Sequence, residues 1–240
     1  MFSFPEKFKA KITDIVDLNS NTSSYMFEVV EGNCSYKAGQ FVMLDFESPF
    51  EKSERVQRAY SVASRPNGKV FELCIERIQG GQAGTFLSSV QKDDVLDFKG
   101  PFGHCTLKDK ESKQLIFAAT GTGIAPIKAI LEDLVEMQAE NSIKVYFGMR
   151  YLKDLYYLTE LTNLISNLKN AKLDICISKP ETADHPYHTG RIQTQFDIES
   201  WDENTVVYAC GNGNMVRDVR NKALVAGVDK KQILVEIFDS

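Results

Sequence analysis

No segment of this chain approaches the roughly 20 apolar residues that a membrane span requires. Its opening, Met1-Phe-Ser-Phe-Pro-Glu-Lys-Phe-Lys, lacks the apolar core of a signal peptide. A soluble, cytoplasmic protein with no membrane partner is expected. Basic blocks are also missing: 28 Lys and Arg are set against 33 Asp and Glu, for a formal net charge of −5, which counts against a nucleic-acid partner. The five cysteines (Cys34, Cys74, Cys105, Cys176, Cys210) stand tens of residues apart, so they supply neither a disulfide scaffold nor a metal clip. Without a C-x₄-C-x₂-C run, no plant-type iron–sulfur cluster is expected, and no other metal site.

What remains is a globular chain of 240 residues, 43% hydrophobic, long enough for one large domain or two small ones. From Phe8 to about Phe98 the pattern is of short β-type runs: Lys11 to Leu18, Tyr25 to Val30, Gln40 to Phe46, Ala59 to Ser64, Val70 to Ile78 and Val95 to Lys99. Polar, glycine-rich turns separate them, which predicts a small antiparallel barrel of six strands, with a short helix near Thr85 to Val90. The charged stretch Lys108 to Lys113 marks the boundary. Beyond it apolar strands (114–120, 143–147, 173–177, 205–209, 233–238) alternate with helical patterns (127–137, 155–168, 215–226), the signature of a parallel sheet covered on both faces. The expected fold class is therefore β followed by α/β.

Three motifs bear on chemistry. Gly121-Thr122-Gly123-Ile124-Ala125-Pro126 follows an apolar strand and opens a helix, where free backbone N–H groups and the helix dipole can hold a pyrophosphate. It lacks the third glycine of the usual dinucleotide fingerprint, and taken alone such a turn is as well explained by structural punctuation. Arg58-Ala59-Tyr60-Ser61 offers a guanidinium for a phosphate, a ring for a flat heterocycle and a hydroxyl for a ring nitrogen. A strand with Tyr60 in the core and Arg58 in water fits the same letters. Cys210-Gly211-Asn212-Gly213-Asn214-Met215 is a second strand-to-helix turn in the α/β unit, in which Cys210 also reads as a small buried hydrophobe.

In this order and spacing, R-x-Y-S, G-T-G-x-x-P and C-G-x-x-x-M resemble the ferredoxin–NADP reductase family, which includes oxygenase reductase components and NAD(P)H–flavin reductases. Lys37 to Phe41, the Gly81 to Leu87 loop, Gly100 to Gly103, Gly148 to Arg150 with Asp154, Thr189 to Arg191 and Glu236 to Phe238 extend the likeness over nearly the whole chain. The resemblance implies an FAD-binding barrel in residues 1–108 and an NAD(P)-binding α/β domain in 109–240. It implies that Arg58 holds a flavin phosphate, Tyr60 packs on the isoalloxazine and Ser61 bonds near its N5, with Arg77 also in the flavin set. Where the family's phosphate loop reads G-x-x-S, this chain has Gly81-Gln82-Ala83-Gly84, so a backbone N–H of Gly84 or Thr85, or the Thr85 hydroxyl, would replace the serine. FMN remains open beside FAD.

On the nucleotide side the resemblance implies that Gly121, Thr122, Gly123 and Pro126 form the pyrophosphate turn. Ser61, Cys210 and Glu236 would surround the hydride-transfer locus, next to Gly211, and Phe238 would cover a flavin face. Arg150, Ser178 and Lys179 are candidates for reading a 2′-phosphate. Ser178-Lys179-Pro180 in place of Ser-Arg-Glu leans the choice between NADH and NADPH toward NADH. The acceptor implied is a ferredoxin, a flavodoxin or an oxygenase component. A reductase of free flavin fits as well, and a non-catalytic electron-transfer subunit is the alternative of another class.

Overall fold

The computed structural model describes residues 5–108, 114–196 and 198–238, the side chain of residue 199 excepted. Most of the boundary stretch, residues 109–113, lies outside the described residues, as do Asp239 and Ser240. The first half builds six antiparallel strands: β1 (Glu6–Asp17), β2 (Thr22–Glu31), β3 (Phe41–Glu47), β4 (Arg55–Ser61), β5 (Val70–Glu76) and β6 (Val95–Phe102). They run in the order β4-β3-β6-β1-β2-β5, and the sheet curls until a bridge between Val62 and Leu73 joins its edges. Alternation drives the curl. Phe8, Ala10 and Ile12 of β1 point inward between polar neighbours, and Phe8, Phe27, Phe71 and Phe98 stack or meet edge-on in the barrel core. A short helix, α1 (Gln82–Leu87), lies between β5 and β6 and begins three residues before its expected start.

The second half is a parallel sheet in the order β10-β9-β8-β7-β11-β12. Its strands are β7 (Gln114–Thr120), β8 (Ser142–Met149), β9 (Ala171–Ile177), β10 (His188–Thr189), β11 (Thr205–Gly211) and β12 (Ile233–Ile237). The helices are α2 (Ile124–Glu136), α3 (Leu158–Ser166) and α4 (Gly213–Val225). The near-continuous apolar run of β7 feeds two layers at once. Leu115, Phe117 and Ala119 pack with α2 and α3, while Ile116 and Ala118 pack with α4. The first layer continues into the barrel through Ala38, Ala63, Cys74 and Cys105, so the two halves share a core.

Two expectations shift. Helix α3 starts at Leu158 rather than Leu155, because Tyr157 holds a left-handed backbone (φ 57°) and its hydroxyl donates to Glu72 on the barrel. The two-residue strand β10 has no apolar periodicity to announce it. Among the described residues no helix is long and apolar enough to cross a membrane, and no three metal-binding side chains converge.

Candidate active site

The carboxyl ends of the parallel strands face the β4–β5 side of the barrel across a cleft of about 1240 Å³. Arg58, Tyr60 and Ser61 reach it from the end of β4. Arg58 is exposed, and its guanidinium donates to the Gln57 carbonyl (2.8 Å) and to Gln82 Oε1 (3.1 Å), making no salt bridge among the described residues. The bond to Gln82 brings the cation to the Gly81–Gly84 turn. Burial pushes the Tyr60 phenol up to about 12, so its half-buried ring stays neutral beside Arg58.

The turn explains its own departure from serine. A Cβ at Gly84 would stand 2.2 Å from the Ile78 carbonyl oxygen, so no side chain fits. The Thr85 N–H donates to the Gly81 carbonyl (2.9 Å) and Thr85 does not line the cleft, which leaves Gly84 as the candidate of the two. Arg77 is likewise away from the cleft, held on the barrel by Asp17, Ser23 and Tyr25.

Across the cleft, Gly121 and Thr122 line the wall at the foot of α2, with Gly123 and Pro126 behind them. Glycine is required at 123 because an added Cβ would stand 2.2 Å from the Cys210 carbonyl oxygen. Gly211 (φ 127°) likewise leaves no room against Thr120, whose hydroxyl accepts from the Asn212 N–H (3.0 Å). The two turns interlock through these glycines, with the first turn of α2 pointing into the cleft.

Ser61 and Glu236 meet from opposite halves of the molecule: Ser61 Oγ donates to Glu236 Oε2 at 2.8 Å. Burial raises the Glu236 carboxyl above the usual carboxylate range, and the Ser61 bond offsets part of this. Cys210 is close in the fold but does not line the cleft. It is fully buried, its Sγ 3.8 Å from Cys105 Sγ, and the hydrogen bond to Cys105, followed by burial, pushes its thiol well up. Phe238 lines the cleft half-buried, anchored by its N–H to the Gly211 carbonyl (2.9 Å).

At the sheet's far end Arg150, Ser178 and Lys179 are joined by Arg191, a residue that the family likeness includes without giving it a role toward the nucleotide. The Gly190-Arg191 pair was the available signal. None of these three cations makes a salt bridge among the described residues, and the Arg150 guanidinium packs 5.3 Å from the Tyr151 ring centre.

A cleft with an unpaired guanidinium beside a tight glycine turn at one side, and a helix-opening glycine turn at the other, fits two phosphate-bearing cofactors. Donors of this kind on both walls suit a protein that holds two phosphate-bearing cofactors at once. Known proteins agree: residues 9–107 match the oxidoreductase FAD-binding domain family and residues 117–221 the oxidoreductase NAD-binding domain family. The chain belongs to the ferredoxin–NADP reductase-like family and is an NAD(P)H-dependent flavoprotein reductase.

Ferredoxin–NADP reductase B of Sorangium cellulosum is 29% identical over 243 residues, covering 98% of each chain. Reductase component 1 of terephthalate 1,2-dioxygenase from Comamonas is 25% identical over 85% of this chain, which spans 59% of that relative. Ferredoxin–NADP⁺ reductase of Neisseria gonorrhoeae, solved with FAD and NADP, shares the fold at a TM-score of 0.82 and 23% identity, over 96% of this chain and 98% of that one.

Proposed function

We propose that this chain passes electrons from NAD(P)H, through one bound FAD, to a separate redox protein such as a ferredoxin or an oxygenase component. The observation that carries the reading is the Ser61–Glu236 hydrogen bond, which joins the flavin half to the nucleotide half on the wall of one cleft. Division at residues 108/109 assigns Arg58, Tyr60, Ser61, Gly81 and Gly84 to flavin, and Gly121, Thr122, Arg150, Gly211 and Glu236 to the nucleotide. The flavin and nicotinamide supply the hydride chemistry.

The protein's own groups do the holding. Arg58 and the Gly84 N–H bind flavin phosphate, Tyr60 flanks the ring, and Ser61 and Glu236 fix the place where the rings meet. The first turn of α2 receives the nucleotide pyrophosphate. Phe238, held at its backbone N–H by the Gly211 carbonyl, yields its side chain's place when the nicotinamide enters. Cys210 acts from behind the wall by its bulk rather than by proton transfer. Arg191, which joins Arg150, Lys179 and the Ser178 hydroxyl at the cleft, turns the lean toward NADH into a preference for NADPH, since three cations and a hydroxyl suit a 2′-phosphate.

The acceptor reading rests on relatives that are named as reductases of ferredoxin or as components of oxygenases. A reducing compartment such as the cytoplasm suits the free thiols of Cys105 and Cys210, whose sulfurs stand 3.8 Å apart. The test is steady-state NADPH oxidation by the holoprotein with ferredoxin, flavodoxin or excess free FAD. Faster turnover with a redox protein supports the reading, and turnover that responds only to free flavin assigns the chain to flavin reduction.

A further inference from the structure

Behind the wall of the cleft, α2 meets the barrel through one buried cation. Lys128 stands on the second turn of α2 with 7% of its side chain exposed. Its ammonium donates to the Ala63 carbonyl (3.0 Å), to Glu72 Oε2 on β5 (2.9 Å) and to Glu132 Oε1 one turn along α2 (2.7 Å). These bonds use all three of its protons. The acceptors are themselves fixed. Glu72 Oε1 accepts from Ser24 (2.6 Å) and Tyr157 (2.5 Å), and Glu132 Oε2 accepts from the Arg65 N–H (2.8 Å). Burial works against the charge on Lys128, but Glu72 and Glu132 more than offset it and hold the ammonium above its usual range.

The position of this node is informative. Lys128 is five positions beyond Gly123, the end of the turn assigned to the nucleotide pyrophosphate. Ala63, which Lys128 grips, is two residues beyond Ser61, which faces the hydride locus. A buried ion pair is seldom a net source of stability compared with apolar residues of similar size. A fixed separation between two segments is something an apolar contact specifies less sharply, and that is what three short directed bonds provide here.

We propose that Lys128 is a positioning residue for hydride transfer, tying the α2 turn to the Tyr60–Ala63 segment so that nicotinamide and flavin meet at reactive distance. The proposal rests on the cleft being the hydride-transfer site. It is tested in the FAD-loaded protein with Lys128→Met and, as a milder change that leaves Ser24 and Tyr157 an acceptor, Glu72→Gln. Each variant that folds and holds flavin is mixed anaerobically with NADPH over a range of concentrations, which separates apparent nucleotide affinity from the limiting rate of flavin reduction.

A misplacement of about 1 Å costs on the order of a hundredfold in rate. The expected result is a limiting rate at least about tenfold lower in Lys128→Met, and lower in Glu72→Gln, with nucleotide affinity within about threefold of wild type. A purely structural role would lower the unfolding temperature and leave the limiting rate alone. Wild-type limiting rates in the variants, with wild type itself reduced by NADPH or NADH, overturn the proposal alone. Wild-type flavin that neither nucleotide reduces overturns the site assignment and the proposal together.

Discussion

Among the described residues Arg58 makes two hydrogen bonds, both to neutral oxygens, and no salt bridge, which leaves its charge open to the phosphate proposed there. A charge-assisted bond of this kind contributes about 1.5–3 kcal/mol. Arg58→Ala should therefore weaken FAD binding by roughly 10- to 150-fold, read by fluorescence titration of the apoprotein, and unchanged affinity would move the phosphate elsewhere. Glu236 makes a prediction in pH. Its carboxyl is raised by burial, so the folded protein holds this proton more tightly than the unfolded chain does. That contribution to stability is present below the ordinary glutamate value of about 4.3 and is lost as pH rises through the raised folded value. In urea unfolding, Glu236→Gln should gain on wild type as pH climbs through that window. Parallel curves would mean that the carboxyl is not held above its usual range.

At the scale of elements, the interlocked turns at Gly123 and Gly211 form the wall proposed for the nucleotide. Gly123 has ordinary helical angles (φ −60°, ψ −11°), so local propensity alone would welcome alanine. Packing decides otherwise: the Cβ would stand 2.2 Å from a backbone oxygen that belongs to a central strand. Gly123→Ala should cost about 1–3 kcal/mol in denaturant unfolding, the usual range for overpacking, and a neutral result would mean that the turns are looser than they stand. The same contrast explains what was legible in sequence. The six barrel strands and the five longer parallel strands follow from their apolar patterns. Strand β4 begins at Arg55 rather than Ala59, since residues 55–59 are mostly exposed and carry little periodic signal. The late start of α3 depends on Tyr157 reaching Glu72, 85 positions away, which no local window contains.

Over the whole molecule, the contacts that join the halves were the least legible. Lys128 and Glu132 have the i,i+4 spacing of countless surface pairs, so nothing local marks them, and only folding buries Lys128 against Glu72. Cys210 reads as a site residue, but folding puts its sulfur behind the wall against Cys105. Ser61 and Glu236 are expected as neighbours through family likeness alone, since they stand 175 positions apart. The central claim is that one cleft brings flavin and pyridine nucleotide together, and an anaerobic absorbance titration of the FAD-loaded protein with NADPH, and separately with NADH, tests it most directly. Bleaching of the bound-flavin spectrum, at lower concentration with NADPH than with NADH, is the predicted result. A flavin that stays oxidised with both nucleotides would contradict it.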